Sequence, residues 1–255
     1  MNGFYEKKRE DNKRLEAHGN GNHSYPSHFH NNLEIFLVRK GDYEVIINGE
    51  RHVTCGGEAF VVDSYDLHEY RQITARTDED ARVILIPYAL LGRFNAQRKG
   101  LRIAVNRIED ERFCTELIGL TDKYLTPTQT ESVREATAGL ILSLIFEKLQ
   151  FTAEKPRGEA ALVRKMLTYI QEHYLESVTR KTLSRELGYA EAHLSRVFHR
   201  FVKTGISEYI NGLRLDYFDR RLQEGYTGTT LELIYEAGFN SQQTYYRCLK
   251  KANEQ

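Results

Sequence analysis

The residues with the clearest chemical potential lie early in the chain, in the stretch "SHFHNNLEIFLVRKG" at 27–41. His28, His30 and Glu34 fall within seven positions, and imidazole and carboxylate groups are ligands of iron, manganese and zinc. On a strand, His28 and His30 face the same way because side chains alternate. The stretch predicts either a metal centre with positions open for substrate, or the polar wall of a pocket that binds a small molecule.

A β-rich segment must position these residues. Short runs rich in β-branched and aromatic residues recur from 28 to about 87, and Asn48-Gly49 is a hairpin signal. Strands at intervals of about ten residues are typical of a sandwich or small barrel. Phe36 is expected in its interior or at the pocket, and Tyr43 can offer a hydroxyl to a ligand.

The apolar period then becomes helical, from about 107 to 150 and again from 159 to 255. Pro156 and Gly158 lie among charged residues between these regions and indicate a linker. We therefore predict an α+β multidomain protein with a mobile arm at 1–20, a β domain at 21–105, a helical bridge at 106–151, a linker at 152–158 and an all-α domain at 159–255.

Composition narrows the class of protein. The 36 basic and 36 acidic residues cancel, so net charge alone favours neither a nucleic-acid nor a membrane partner. The three cysteines are far apart without a CxxC pair, which argues against a disulfide framework. The start has no apolar run of the signal-peptide type, and "GLILSLIFEKL" is too short to span a bilayer. We expect a soluble, cytoplasmic protein.

The stretch "TRKTLSRELGYAEAHLSRVFHRFVKTG" has the pattern of a helix, a glycine turn at Gly188 and a second helix. Thr179 can cap the first helix. Arginine on an exposed helix can read guanine in a major groove or grip phosphate. The face of the second helix that we predict to contact DNA comprises Ala192, Ser195, Arg196, His199 and Arg200.

The pattern recurs in "TLELIYEAGFNSQQTYYRCLKK", where Gly238 takes the place of Gly188 and Asn240 or Ser241 can cap the last helix. Glutamine and arginine make paired contacts with base edges. Two such units on one connecting helix could read major-groove faces roughly 34 Å apart. The predicted contacts in this helix are Gln242, Gln243, Thr244 and Arg247, whereas Arg214 in the connecting helix is expected to be structural.

A generic helical bundle is the alternative for this domain, since the net charge of +4 across 180–221 is that of an ordinary surface. A domain with a degenerate second unit, which binds DNA through the first alone, is another. The paired glycine turns and the arginine and glutamine faces favour two DNA-reading units.

The residues from about 161 to 251 resemble the paired helix-turn-helix domain of the AraC/XylS family of bacterial transcription regulators. The matching pieces are "LGYAEAHLSRVFHRFVKTGISEYINGLRL" and "EAGFNSQQTYYRCLKK". The resemblance implies operator DNA as a partner, an effector-binding cupin domain before it, and helices after the cupin that form a homodimer.

The stretch "HFHNNLEIFLVRKG" resembles the first cupin motif, and "GEAFVVDSYDLH" the second, with Asp63 and Tyr65 in place of its proline and glycine. His68 then stands where a final metal histidine would be. The resemblance implies a β-barrel that holds either a divalent transition metal or, as is common in sensing cupins, none. The candidate metal ligands are His28, His30, Glu34 and His68, and the candidate effector-binding residues are His28, His30, Glu34, Phe36, Tyr43 and His68.

We therefore predict a bacterial regulator that binds operator DNA under the control of a small effector, such as a sugar or another metabolite, and acts as a non-enzymatic homodimer that can contact RNA polymerase. The rival hypothesis is a metal-dependent cupin enzyme, a dioxygenase or isomerase, with a helical appendage.

Overall fold

The computed structural model describes residues 4–6, 14–19, 23–75, 77–153 and 158–253. The chain divides into two compact units, Met1–Pro156 and Arg157–Gln255. The predicted linker at 152–158 spans this boundary, and its residues 154–157 lie outside the described ranges. The predicted fold class, a β domain followed by an all-α domain, is confirmed.

The first unit is built on two facing sheets. Within the described residues, their strand orders are β1-β3-β8-β5-β6 and β11-β7-β4-β9-β2, and β10 pairs separately with β12. The strands are β1 (Phe4–Tyr5), β2 (Glu16–Gly19), β3 (Tyr25–Phe29), β4 (Leu33–Lys40), β5 (Asp42–Ile47), β6 (Glu50–Thr54), β7 (Glu58–Val62), β8 (His68–Thr74), β9 (Asp80–Ile86), β10 (Arg102–Ile103), β11 (Arg107–Glu109) and β12 (Phe151–Thr152).

Residues 33–38 of strand β4 are buried on both faces, which explains why they are apolar except for Glu34. Since side chains alternate, Leu33 and its equivalents at every second position join a core beneath the helices of this unit. Phe36 and Val38 point the other way, into a second core that receives Tyr43 and Tyr70 from the opposite sheet. This second core is the interior of the barrel.

Parts of the predicted N-terminal arm are strands, and the prediction is wrong for them. Strand β1 pairs in parallel with β3, and β2 pairs antiparallel with β9. Leu15, just before β2, is fully buried in the core. The arm was predicted from its polar composition, but backbone pairing and the burial of one leucine outweigh that composition. Residues 1–3, 7–13 and 20 of the predicted arm lie outside the described ranges.

Helices complete the first unit. Asp110 caps α2 by accepting a hydrogen bond from the Phe113 backbone N–H at 3.0 Å. Helix α3 buries Ile141 and Ile145 against the sheet and leaves Leu140 exposed. The segment 106–151, predicted as a helical bridge, also contributes β11 and the first of the two residues of β12. The helices of this unit are α1 (Gly92–Arg98), α2 (Glu111–Tyr124) and α3 (Glu131–Lys148), with a 3-10 turn at Tyr88–Leu90.

The second unit is helical. Its helices are α4 (Glu159–His173), α5 (Arg180–Leu187), α6 (Glu191–Val202), α7 (Ile206–Gln223), α8 (Thr230–Glu236) and α9 (Gln242–Asn253). No helix within the described ranges has the length and apolar character needed to cross a membrane.

Two helix-turn-helix units stand at either end of α7. Thr179 and Thr229 begin α5 and α8 with capping boxes, which satisfy backbone N–H groups at the helix starts. Gly188 and Gly238 follow these helices with φ of 74° and 85°, a conformation that favours glycine. The backbone therefore contains the same helix-turn-helix motif twice, as the sequence predicted.

Arg214 in α7 has a structural role within the second unit, as predicted. Its buried guanidinium donates to the carbonyl oxygens of Tyr174 and Glu176 at 2.7 and 2.8 Å. Nearby, Phe218 and Phe239 pack on Tyr245 with ring centroids 4.7 and 5.5 Å away. The second helix-turn-helix unit thus has an apolar core of its own.

Candidate functional site

A buried polar cluster joins the two sheets of the first unit. His28 on β3 and His68 on β8 are register partners in one sheet, and Glu34 lies on β4 of the other. His30 follows β3 directly. One ligand atom from each of the four residues lies within 4.8 Å of the others, and all four residues are buried. The structure thus brings together all of the predicted metal ligands.

The backbone sets the tautomers of two histidines. The Nδ1 atoms of His28 and His68 lie 2.9 Å from the carbonyl oxygens of Pro26 and Asp66. A carbonyl only accepts, so each Nδ1 carries the hydrogen, and Nε2 of a neutral ring offers a lone pair. Metal-binding histidines commonly donate their second N–H to such a partner.

Glu34 is the charged centre of the cluster. Its Oε2 accepts a hydrogen bond from His30 Nε2 at 2.9 Å and lies 3.6 Å from His68 Nε2. Burial opposes ionisation, but His68 and His30 outweigh it and hold the pKa of Glu34 well below its usual range. Burial likewise disfavours the charged form of His68, yet the Glu34 carboxylate raises the pKa of His68.

The donor set fits a divalent transition metal. Burial lowers the pKa of His28 to about 2 and also lowers that of His30, so both rings stay neutral, as ligation requires. The buried Nδ1 of His30 has no hydrogen-bond partner in the part of the chain that the structure describes. The His30 proton can therefore move to Nδ1 without breaking another bond, which would free Nε2 for a metal.

A cavity of about 100 Å³ opens beside the cluster. His28 and Glu34 lie in its wall, whereas Phe36 and Tyr43, predicted at the pocket, are fully buried in the barrel interior. The side chains around the cavity are His18, His23, Tyr25, His28, Glu34, Tyr70 and Val83.

Sequence reasoning did not assign His18, His23 and Tyr25 to the site. His18 lies on β2, within the segment predicted as an arm, and its pairing with Val83 of β9 carries it to the cavity. A β-bulge lies between Tyr25 and His28 and breaks the simple alternation of β3. These residues have no regular spacing before His28, so the sequence alone offered no local signal for them.

The exposed face of α6 presents most of the predicted DNA contacts. Ala192, Arg196 and His199 are exposed, and Arg196 makes no ion pair or hydrogen bond with any described residue. Arg200 is also exposed but pairs with Glu159. Ser195 is placed differently from the prediction, because it is half-buried and its hydroxyl oxygen is enclosed with no hydrogen-bond partner among the described residues.

The start of α9 presents a second polar face. Gln242, Gln243 and Arg247 are exposed. Thr244 is half-buried, and its backbone N–H donates to the hydroxyl of Ser241 at 3.2 Å, so Ser241 caps this helix. The Thr244 hydroxyl lies 3.0 Å from the same oxygen and belongs to the cap.

Comparison with known proteins agrees with both halves of the architecture. Residues 17–87 match the model of a cupin domain, and residues 183–254 match that of a helix-turn-helix domain. The two domains define a transcriptional regulator with a cupin-like N-terminal domain.

Relatives of the whole chain are regulators as well. The transcriptional activator RhaS of Pectobacterium carotovorum is 24% identical over 251 residues, 91% of this chain and 86% of RhaS. The regulator YbfI of Bacillus subtilis is 22% identical over 226 residues, 86% of this chain and 80% of YbfI. The matched helix-turn-helix domain is of the AraC type, and this chain is similar to regulators of the AraC family.

Solved structures with a similar course of the chain include ToxT of Vibrio cholerae and the AraC-like activator CuxR. ToxT has 11% identity and a TM-score of 0.44 over 95% of this chain and 94% of its own. CuxR has 16% identity and a TM-score of 0.44 over 88% of this chain and 78% of its own.

Proposed function

We propose that this regulator binds operator DNA with the exposed faces of α6 and α9. Its affinity for the operator changes when a small effector fills the cavity of the first unit. The observation that carries the proposal is the repeated unit: two capped helix-turn-helix pairs, each with an exposed arginine on its second helix that has no ion-pair partner among the described residues. Arg196 and Arg247 occupy these positions.

The two helices would read bases by different residues. Arg196 of α6 can form a bidentate pair with guanine, and Gln242 or Gln243 of α9 can form one with adenine. Ala192 allows close approach, while His199 and Arg200 suit phosphates. Ser195 and Thr244 are poorer candidates because their hydroxyls face the helix packing and the cap.

The cavity suits a small polar molecule such as a sugar or another metabolite. Its histidine and tyrosine side chains can donate and accept hydrogen bonds, and Glu34 offers a buried carboxylate. An effector shifts DNA affinity only by binding two arrangements of the protein differently. We therefore propose that filling the cavity favours one arrangement of the polar cluster.

A metal would bind His28, His30, Glu34 and His68. It would supply a Lewis-acidic centre at the cavity, and the chain's own residues would orient an effector against it. Equilibrium dialysis with Zn²⁺ tests this part: we expect one ion per chain and its loss in His68→Gln. Absence of stoichiometric binding would leave a metal-free pocket.

We further propose that the chain acts as a homodimer in the cytoplasm and contacts RNA polymerase. Leu140 on α3 is an apolar side chain left 45% exposed, which favours that helix as the dimer surface. RhaS is named an activator, and an activator can act by contacting RNA polymerase.

The polar cluster also supports a second candidate, a metal-dependent dioxygenase or isomerase. The test that separates the two is enrichment of a specific duplex from a random pool by the full chain at near-physiological salt, because non-specific binding changes steeply with salt. Parallel arms contain Zn²⁺ or candidate metabolites. Enrichment supports the regulator proposal; its absence from every arm overturns it and favours the enzyme.

A further inference from the structure

The loop of residues 63–67 joins β7 to β8 and carries the two departures from the cupin motif. Tyr65, in place of the glycine, keeps a left-handed backbone with φ of 64°. Non-glycine residues rarely adopt this conformation, because the Cβ lies too close to the following carbonyl oxygen. Asp63, in place of the proline, is buried. Contacts within the first unit must hold this loop in place.

The backbone of the loop contacts two histidines of the polar cluster. The Tyr65 N–H donates to the carbonyl oxygen of His30 at 2.7 Å. The Asp66 carbonyl accepts from Nδ1 of His68 at 2.9 Å. A movement of the His68 ring or of the His30 backbone therefore acts directly on the loop.

The side chains of the same loop point to a different part of the fold. Arg98 of α1 donates to Asp63 at 2.5 Å, and Arg102 of β10 donates to Asp66 at 2.8 Å. Both aspartates are almost completely buried. Separating a buried ion pair leaves each charge buried without a partner, which is costly. We therefore expect the loop, α1 and β10 to move together.

Strand β10 continues this connection toward the end of the unit. Arg102 and Ile103 pair with Thr152 and Phe151 of β12. The Ala104 N–H adds a bond to the Gln150 carbonyl at 2.8 Å. The chain leaves β12 only a few residues before the first unit ends at Pro156.

We propose that the 63–67 loop couples the state of the polar cluster to β10 and β12, and so to the segment that leads into the DNA-binding unit. Asp63 and Asp66 are positioning residues that hold the loop to α1 and β10. The inference deepens the proposed function, on which it rests, by naming the route of regulation.

The test perturbs the cluster without assuming a ligand. Glu34→Gln in the full chain removes the charge that faces His68, and hydrogen exchange is measured at the backbone amides of 98–104 and 149–153. We expect exchange at these amides to change by about fivefold or more relative to the amides of Glu50–Thr54, which report the general loss of stability of the unit. Fivefold is the scale of ordinary allosteric coupling. In the Asp66→Asn and Arg102→Gln backgrounds this change should be largely lost.

Arg39→Gln is the matched control, because it breaks the ion pair of Arg39 with Asp80, which does not touch the loop. The control should keep the full response. An equal response in the Asp66→Asn background, or none in the otherwise unaltered chain, would overturn the inference. If Glu34→Gln does not fold, His30→Gln perturbs the cluster instead, because it removes the ring that donates to Glu34 and leaves the contact of His68 with Asp66 in place.

Affinity for a duplex enriched from random DNA is the second readout. Glu34→Gln should change this affinity, and the change should vanish with Asp66→Asn. If no duplex is enriched, the proposed function fails, while the exchange measurement still decides whether the loop transmits.

Discussion

At the residue scale, Glu34 is the charged residue at the centre of the buried cluster in the first unit. It is a buried carboxylate kept ionised by His68 and His30, and it lies both in the cluster and in the cavity wall. A carboxylate with a lowered pKa stabilises the fold above its ordinary pKa, and this contribution is lost as pH falls through the folded-state pKa.

Glu34→Gln should therefore lower the free energy of unfolding of the first unit by about 3 kcal/mol at pH 7 in the presence of EDTA. The difference from the unaltered chain should shrink as pH falls below the ordinary carboxyl pKa of 4.5. Calorimetry at several pH values measures it, with the exposed Glu50→Gln as control. The same loss at every pH would show that ionisation of Glu34 contributes nothing.

Two arginines on α6 differ in their surroundings. Arg196 is unpaired among the described residues, whereas Arg200 pairs with Glu159. Arg196→Ala should weaken binding to the preferred duplex by roughly 1–3 kcal/mol and relax the preference at one base. Arg200→Ala should have a smaller effect, uniform across sequences. Affinities for single-base variants of the duplex measure both, and an unchanged base profile for Arg196→Ala would contradict its assignment to base reading.

At the element scale, the two glycine turns offer a matched comparison. Both have positive φ, but a Cβ on Gly188 would meet open space, while one on Gly238 would lie 2.7 Å from the Leu175 carbonyl oxygen. Gly188→Ala should cost only the strain of the left-handed backbone, about 1–2 kcal/mol.

Gly238→Ala should cost clearly more, since the backbone carrying Leu175 has to move as well. Denaturant unfolding of the two variants, followed by a probe in the second unit, measures the difference. Equal losses would mean that the close approach at Gly238 relaxes freely.

The helix-turn-helix units were predictable because their signals are local. The Thr179 cap, the Gly188 turn and the α6 apolar face each depend on residues a few positions apart. The burial of the Ser195 hydroxyl was not predictable, because it depends on how the surrounding helices pack.

The cavity was harder to predict than the cluster. His28, His30, Glu34 and His68 follow from a motif, but His18 reaches the site only through the pairing of β2 with β9. Long-range strand pairing leaves little trace in a single sequence. The same holds for the pairs of Asp63 and Asp66 with arginines of α1 and β10.

At the scale of the whole molecule, two copies of the chain are expected to act together. Leu140→Glu places a charge on the exposed face of α3 and should weaken self-association by about tenfold or more, roughly 1.4 kcal/mol. Analytical ultracentrifugation measures this, with Leu222→Glu, another half-exposed leucine, as control. A monomeric unaltered chain, or an equal effect of both variants, would contradict the assignment of α3 to the dimer surface.

Both helix-turn-helix units are expected to read DNA. Selection from random duplexes at fixed salt tests this most directly, with Arg247→Ala measured beside the unaltered chain. We predict that the unaltered chain enriches two conserved boxes about one helical turn apart and that Arg247→Ala relaxes one base in one box. A single box that Arg247→Ala leaves unchanged, or no enrichment at all, would contradict the account.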